Sequence, residues 1–307
     1  MEIAVRGNIM KSMRKHSMVA LGFLVFMLML AGCDSTNSDP VPEGPAPEPI
    51  TVEAFTVETS LFQPAGSKQD GAASNFTAAA ERVWPLSASL DTNLTIAVTL
   101  TAAALQITPT FERVREVATG RELDLWVWSS EVEVKGQAVT FSLSAEPDLA
   151  GFNWHMHMTT SGPLLGRFYD QFILYIAQTS LDGKSGTWEL YYPINPRTGA
   201  QGNLVLKADF QILGDGQKEI IYSILPHPWN EDLYGPPPEG FEQYEGDSVL
   251  YAAEGDARHF LWQQAEGFEH DIAWDAATHE GSITATNYNQ GQQGCWDADL
   301  EDIACSN

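Results

Sequence analysis

Basic residues are scarce in this chain of 307 residues: 16 Lys and Arg stand against 41 Asp and Glu, a formal charge of −25. Residues 1–32 hold four of the basic residues and one of the acids, so the chain from Cys33 onward carries about −28. A field of that sign repels phosphate backbones and anionic headgroups, which excludes nucleic acid as a partner. Cysteine is scarce too, at three residues, so a disulfide-dense scaffold and a four-thiolate zinc site are both excluded. No apolar run reaches the roughly 20 residues that a spanning helix needs. Familiar catalytic signatures are missing as well. Gly183-Lys184-Ser185-Gly186 has the wrong spacing for a nucleophile elbow, and neither His-Glu-x-x-His nor a phosphate-cradling glycine loop is present.

What is present begins with Arg6, Lys11, Arg14 and Lys15, then an apolar run from Met18 to Leu30, then Leu30-Ala31-Gly32-Cys33. At about 13 residues the run is too short for a bilayer and the right length for the apolar part of a secretory signal. Ala31 and Gly32 are small enough for a peptidase to approach the backbone, and the Cys33 thiol is the nucleophile that would receive a diacylglyceryl group. The leader resembles the lipobox signal of bacterial lipoproteins over residues 1–33. The resemblance implies removal of residues 1–32, lipidation of Cys33, and residence in the bacterial cell envelope with the membrane as partner through the anchor. Met10 and Met13, just ahead of Arg14-Lys15-His16, are alternative starts. Asp34 is an inner-membrane retention mark in enteric bacteria, but that rule differs between lineages, so either membrane stays open.

Residues 33–50 form the next segment. Pro40, Pro42, Pro45, Pro47 and Pro49 recur nearly every second position among Ser, Asp and Glu. Such a stretch favours extended, solvated backbone and reads as a tether reaching roughly 50 Å when fully drawn out. Residues 51–307 are enough for one sizeable domain.

Within that domain the pattern changes once. From 74 to 107, alanines among Leu and Val, with Ser74 as a cap and Pro85 and Pro109 as interruptions, predict one or two helices. Between Leu94 and Ile107 the apolar residues surround the axis, which asks for burial on most sides. From 111 to 290 the period is two, with turns such as Lys135-Gly136, Asp182-Gly183, Asp215-Gly216, Glu254-Gly255-Asp256 and Asp275 to Gly281. The expected fold is mainly β: a curved antiparallel meander or open barrel of about ten strands, with one or two N-terminal helices packed on it. The stretch from Pro226 to Gly246, with Pro236-Pro237-Pro238, predicts a long loop.

Export places Cys295 and Cys305, ten residues apart, in a compartment where they can pair, with zinc as the alternative use of the two thiols. The segments Leu125-Trp126-Val127-Trp128, Asp182 through Trp188, and Gly294-Cys295-Trp296-Asp297 through Ala304-Cys305 resemble a group of uncharacterised bacterial secreted proteins and lipoproteins, over about half the chain. That resemblance supports the β fold and a disulfide-closed loop at 295–305. It transfers no catalytic residue.

Several side chains are candidates for chemistry. His155 and His157, two apart on a strand, would project both imidazoles to one face as metal ligands, with Trp154, Met156 and Met158 opposite; the plainer reading is a polar strand face. His259, His270 and His279, with Glu269, Asp271 and Glu280 near them in sequence, are a second set. Asp297, Asp299 and Glu301, with Asp302, offer hard oxygens for calcium, although the glycine of an EF-hand loop is missing. Glu131 and Glu133 alternate with Val132 and Val134 as on a strand with one wet face. The tryptophans of the β part predict packing rather than sugar stacking, with Trp229 the expected exposed exception.

These features point to a lipid-anchored envelope protein without enzymatic activity that holds an apolar or amphiphilic ligand between sheet and helices. The alternatives are a structural or surface-interaction lipoprotein without a cavity, and a metal-assisted or carboxylate-based hydrolase. No cofactor is expected apart from a divalent cation. Envelope protein partners are not specified by the sequence.

Overall fold

A computed structural model describes residues 46–48, 52–63, 74–105, 108–115, 122–134, 136–163, 168–192, 203–214, 216–225 and 242–305, with backbone alone at 52–53, at 92–105 and at Arg115, Val134, Tyr192, Asn203 and Glu242. All of these fall in one compact unit, Ala46–Cys305. Cys33, the leader, most of the tether, and residues 226–241 of the long loop, Trp229 among them, lie outside the described residues, while the end of that loop forms a 3-10 turn at Glu242–Tyr244.

The sheet follows the chain. Its strands are β1 (Thr110–Arg115), β2 (Glu122–Val134), β3 (Gln137–Asp148), β4 (Gly151–Thr160), β5 (Phe172–Ser180), β6 (Ser185–Tyr192), β7 (Asn203–Gly214), β8 (Gln217–Ile224), β9 (Ser248–Glu254), β10 (Ala257–Gln263), β11 (Glu269–Asp275), β12 (Gly281–Ala285), β13 (Gly294–Trp296) and β14 (Asp302–Ile303). These 14 strands form one antiparallel sheet whose spatial order is the sequence order, with β1 and β14 as open edges. The protein is therefore mainly β. The strand number exceeds the expected number of about ten, and β1, β13 and β14 are among the additions. β13 and β14 are three and two residues long, too short to show a period-two pattern. They also extend the meander past 290 into the Cys295–Cys305 segment.

Short turns set the register. At the β5–β6 turn, Gly183 takes φ +66° while the Asp182 carboxylate accepts from the Ser180 hydroxyl at 2.7 Å and from the Lys184 N–H at 3.1 Å. A residue with a Cβ resists that backbone conformation, and the Asp side chain mimics a turn hydrogen bond.

The helical stretch is a one-turn helix α1 (Val52–Phe55), a 3-10 turn (Ser60–Phe62) and one long helix α2 (Asn75–Leu105). Ser74 caps α2: its Oγ accepts from the Thr77 N–H at 3.0 Å. Pro85, read as an interruption in a stretch of one or two helices, lies inside a single one. A proline there removes the N–H that would bond the Glu81 carbonyl. Glu81 and Pro85 are both exposed, so the released carbonyl lies on the wet side of the helix. The opposite side carries Phe76, Ala79, Val83, Leu86 and Leu90, a stripe at three- and four-residue spacing that is buried throughout. Beyond Asp91 only the backbone course of the helix is described.

The N-terminal segment crosses one face of the sheet near its rim. Phe55 packs on Trp188 and Phe210, the Lys218 ammonium donates to the Thr56 carbonyl at 2.7 Å, and Arg258 pairs with Glu58 at 2.6 Å. Phe62 then meets Trp274 and Trp296. The chain thus steps from β6 and β7 to β13 between Phe55 and Phe62. Helix α2 returns over the same face. Its start is bound to β13 and β14, Arg82 reaches His270 on β11, Asp91 lies in the field of Lys218 and Tyr222 on β8, and the helix also meets β2 and β3. The nine residues from Arg82 to Asp91 rise about 13.5 Å. Three strand spacings, from β11 to β8, span about 14.4 Å. The helix therefore runs across the strands, advancing one strand for roughly every three residues.

The loop between Cys295 and Cys305 is closed by a disulfide with Cα atoms 5.3 Å apart. It holds the start of α2. The Asn75 N–H donates to the Asp302 carboxylate at 2.8 Å, the Asn75 amide donates to the Cys295 carbonyl at 3.0 Å, and the Tyr288 hydroxyl donates to Asn75 Oδ1 at 2.8 Å.

Candidate functional site

Two faces of the sheet carry distinct chemistry. On the face under α2, strand register places one residue from each of eleven strands in a single transverse row. In order from β2 to β12 the row reads Trp126, Ala145, Trp154, Ala177, Trp188, Ala208, Tyr222, Val249, Trp262, His270, Ala285. A large ring thus stands on every second strand from β2 to β10, with a small or branched residue between. The alternation leaves each ring the space over its small or branched neighbours.

The ring-bearing positions are packed as expected for tryptophan on strands. Trp128, Trp154, Trp188, Trp262, Trp274 and Trp296 are buried, and Trp126 is half-buried at the β2 end. Trp128 and Trp154 stack with centroids 5.9 Å apart, and Trp154 Nε1 donates to the Thr179 hydroxyl at 3.0 Å. Half-buried Phe152, Met158 and Leu174 pack around this β2–β5 end.

Polar groups on the same face were not foreseen from sequence. Arg82 donates from Nε to His270 Nδ1 at 3.2 Å, to the Ala78 carbonyl at 2.7 Å and to Asn287 Oδ1 at 3.3 Å, and its guanidinium lies over the Tyr288 ring. Because His270 Nδ1 accepts, its proton is on Nε2, which is buried without a hydrogen-bond partner among the described residues. His270 stacks on Trp262 at 4.6 Å. Burial, with the Arg82 charge as a second cause, pushes its imidazole down to about 4, so it is neutral at neutral pH. The available signal was phase: His270 shares parity with Ile272 and Trp274, the inward positions of β11. Farther along the helix, burial pushes the Asp91 carboxyl up to about 6 against the opposing pull of Lys218.

The second face carries the histidine pair. His155 and His157 lie on β4, opposite in pleat to buried Trp154 and Met156, with ring centroids 6.1 Å apart. Across β3 they face Ser144 and Ser142, and across β5 they face Ile176 and Ile173. Both are half-buried, and desolvation holds both imidazoles below the ordinary histidine range, with His157 adding a charge penalty for His155.

The remaining candidates do not converge. His259 Nε2 lies 2.9 Å from the Asp271 carboxylate on the outer face, His270 is inside, and His279 sits in the β11–β12 turn with φ +68°. The acidic residues of the C-terminal loop organise a turn: Asp297 Oδ1 accepts from the backbone N–H groups of Asp299 and Glu301, each at 3.0 Å. Glu131 and Glu133 are exposed on β2. Among the described residues, no three His, Cys, Asp or Glu side chains come together as a metal-holding group. No helix of the described residues is long and apolar enough to cross a membrane. Comparison of the chain with protein-family models, curated proteins and solved structures finds no match.

Proposed function

We propose that this chain is a non-enzymatic lipoprotein of the bacterial cell envelope, anchored through Cys33, that holds an apolar or amphiphilic ligand between the second half of α2 and the β2–β6 end of the sheet. In this reading the sheet curls about the helix as an open barrel, and the helix end acts as a lid. The carrying observation is the transverse row: Trp126, Trp154 and Trp188 alternate with Ala145 and Ala177 and lead toward a helix segment, residues 92–105, that holds no charged residue. Indoles separated by alanines form shallow apolar furrows, which suit an acyl chain or another flat apolar group. The half of the helix before Asp91 is, by contrast, fixed to the sheet by the Phe62, Phe76 and Trp296 cluster and by the Arg82 hydrogen bonds.

A second reading, a structural surface lipoprotein without a cavity, is favoured by one observation: Trp128, Trp154 and Trp188 are at most 4% exposed, so the furrows are already covered. Native mass spectrometry of the full chain, purified from its membrane in mild detergent, separates the two. A bound lipid-sized mass that is lost on Trp154→Ala, with the fold intact by circular dichroism, supports the carrier. A bare chain that also fails to quench its tryptophan fluorescence with a brominated fatty acid overturns it. The anchor is tested by itself: Cys33→Ser is expected to move the protein from the membrane fraction to the soluble one, and unchanged retention removes the lipobox reading.

A further inference from the structure

We propose that His155 and His157 form a two-imidazole site on the outer face of β4 for one divalent transition-metal ion of the zinc, nickel or copper class, with water completing the coordination. This site is independent of the ligand reading above, which uses the opposite face of the sheet.

Four observations carry it. The first is separation. Metal–nitrogen bonds of about 2.0–2.1 Å place two imidazole centres on one ion roughly 4.5–5.2 Å apart. The rings are 6.1 Å apart in the structure, so a small rotation of either side chain closes the chelate. The second is the neighbouring strand. Leu174 of β5 is an extra residue where the β4–β5 register shifts between Met156 and His157, so a bulge lies beside the pair and sets Ile176 and Ile173 across from the two histidines.

The third is an orienting hydrogen bond. His157 Nδ1 donates to the Gln171 carbonyl at 3.3 Å, which fixes the tautomer and leaves Nε2 with its lone pair available. A backbone carbonyl behind the far nitrogen is the usual outer support of a metal-bound histidine. The fourth is the cost of that support. Gln171 holds φ +50°, which residues with a side chain seldom adopt. It is kept there by two hydrogen bonds to the Thr159 hydroxyl, from its N–H at 3.0 Å and from its side-chain amide at 3.1 Å. Strain of this kind persists where the surroundings over-determine it.

The environment agrees with the chemistry. Ser142, Ser144, Ile173 and Ile176 flank the pair, so no neighbouring ammonium or guanidinium from β3 or β5 stands opposite it in the register to repel a cation. Imidazole nitrogens select zinc, nickel and copper over magnesium and calcium, which prefer oxygen. The chain's strong negative charge raises the local concentration of any cation.

The test is calorimetric titration of the full chain in detergent with Ni²⁺ alone, beside the His155→Asn, His157→Asn and His259→Asn variants. One saturable Ni²⁺ per chain is expected. Loss of either imidazole reduces the site to a single ligand and weakens binding by about a hundredfold, whereas His259→Asn leaves it unchanged. In the unaltered chain, Ni²⁺ is expected to protect both His155 and His157 from diethylpyrocarbonate, a readout that does not depend on the folding of any variant. Thr159→Val, which releases Gln171, is expected to weaken Ni²⁺ by about tenfold without changing stoichiometry. Absence of saturable binding, or binding that survives both histidine substitutions, overturns the site.

Discussion

Gly294 and Asn75 show how narrowly a single position is constrained. A Cβ at Gly294 would lie 2.2 Å from Asn75 Oδ1, inside the side chain that joins the helix start to the Cys295 carbonyl. Gly294→Ala is therefore expected to destabilise the fold by about 1–3 kcal/mol, measured by urea unfolding; a neutral result would mean that Asn75 does not hold this contact in solution. Two titratable groups, buried His270 and half-buried Asp91, give opposite pH dependences. His270 titrates near 4 in the fold, below its ordinary value, so between about pH 6.5 and 4 the unfolded chain takes up the proton first and stability falls on acidification. Asp91 titrates near 6, above its ordinary value, so its contribution is present at low pH and is lost as pH rises toward 6. Asp91→Asn is accordingly expected to stabilise the protein at pH 7 by about 1–2 kcal/mol after allowance for partial exposure, with little effect at pH 4. His270→Asn should flatten the acid limb of the stability curve. Destabilisation by Asp91→Asn at pH 7 would show that Lys218 outweighs the desolvation of the carboxylate.

Helix α2 is the element on which the face of the sheet depends, and its start is specified locally. Ser74 supplies the cap, and Asp302 supplies a carboxylate to the first free N–H, where the helix dipole favours negative charge. Ser74→Ala is expected to cost about 1 kcal/mol in the denaturant midpoint with an unchanged slope. Across the sheet, the elements are matched by volume rather than by pattern. Trp188 stands between Ala177 and Ala208, and Trp154 between Ala145 and Ala177. Enlarging any one of these alanines would press two large rings at once.

At the scale of the whole molecule, the last residues of the sheet hold the first residues of its long helix, a contact more than 200 positions apart in sequence. The Cys295–Cys305 bridge keeps those last residues in place. Its reduction is expected to lower global stability by about 2–3 kcal/mol. Amide exchange at residues 75–78 should accelerate together with exchange at 294–303, because the Asn75 hydrogen bonds join the two segments. Faster exchange confined to the loop would separate the disulfide from the helix. The open edges of the sheet are treated unequally: β14 is two residues long and beside the disulfide, while β1 carries Glu112, Arg113 and an Arg113–Asp124 pair that blunt an otherwise longer edge.

The sequence by itself determined the local features. Period-two runs and Asp-Gly turns are read over a few residues, so the mainly β meander and most of its hairpins were legible, as were the Ser74 cap and the outward direction of His155 and His157 on one strand. The pairing of Cys295 with Cys305 was legible as one of two uses of these thiols, because they lie only ten residues apart. What only the tertiary structure decided is what lies side by side across strands. Trp126, Trp154 and Trp188 carry no mark in sequence that they share a row, since that depends on the register of four successive hairpins. The burial of His270 against Arg82 depends on a helix placed 188 residues earlier in the chain. Passage of α2 through Pro85 was decided by packing, because the buried stripe on one side of the helix outweighs the single hydrogen bond lost on the other.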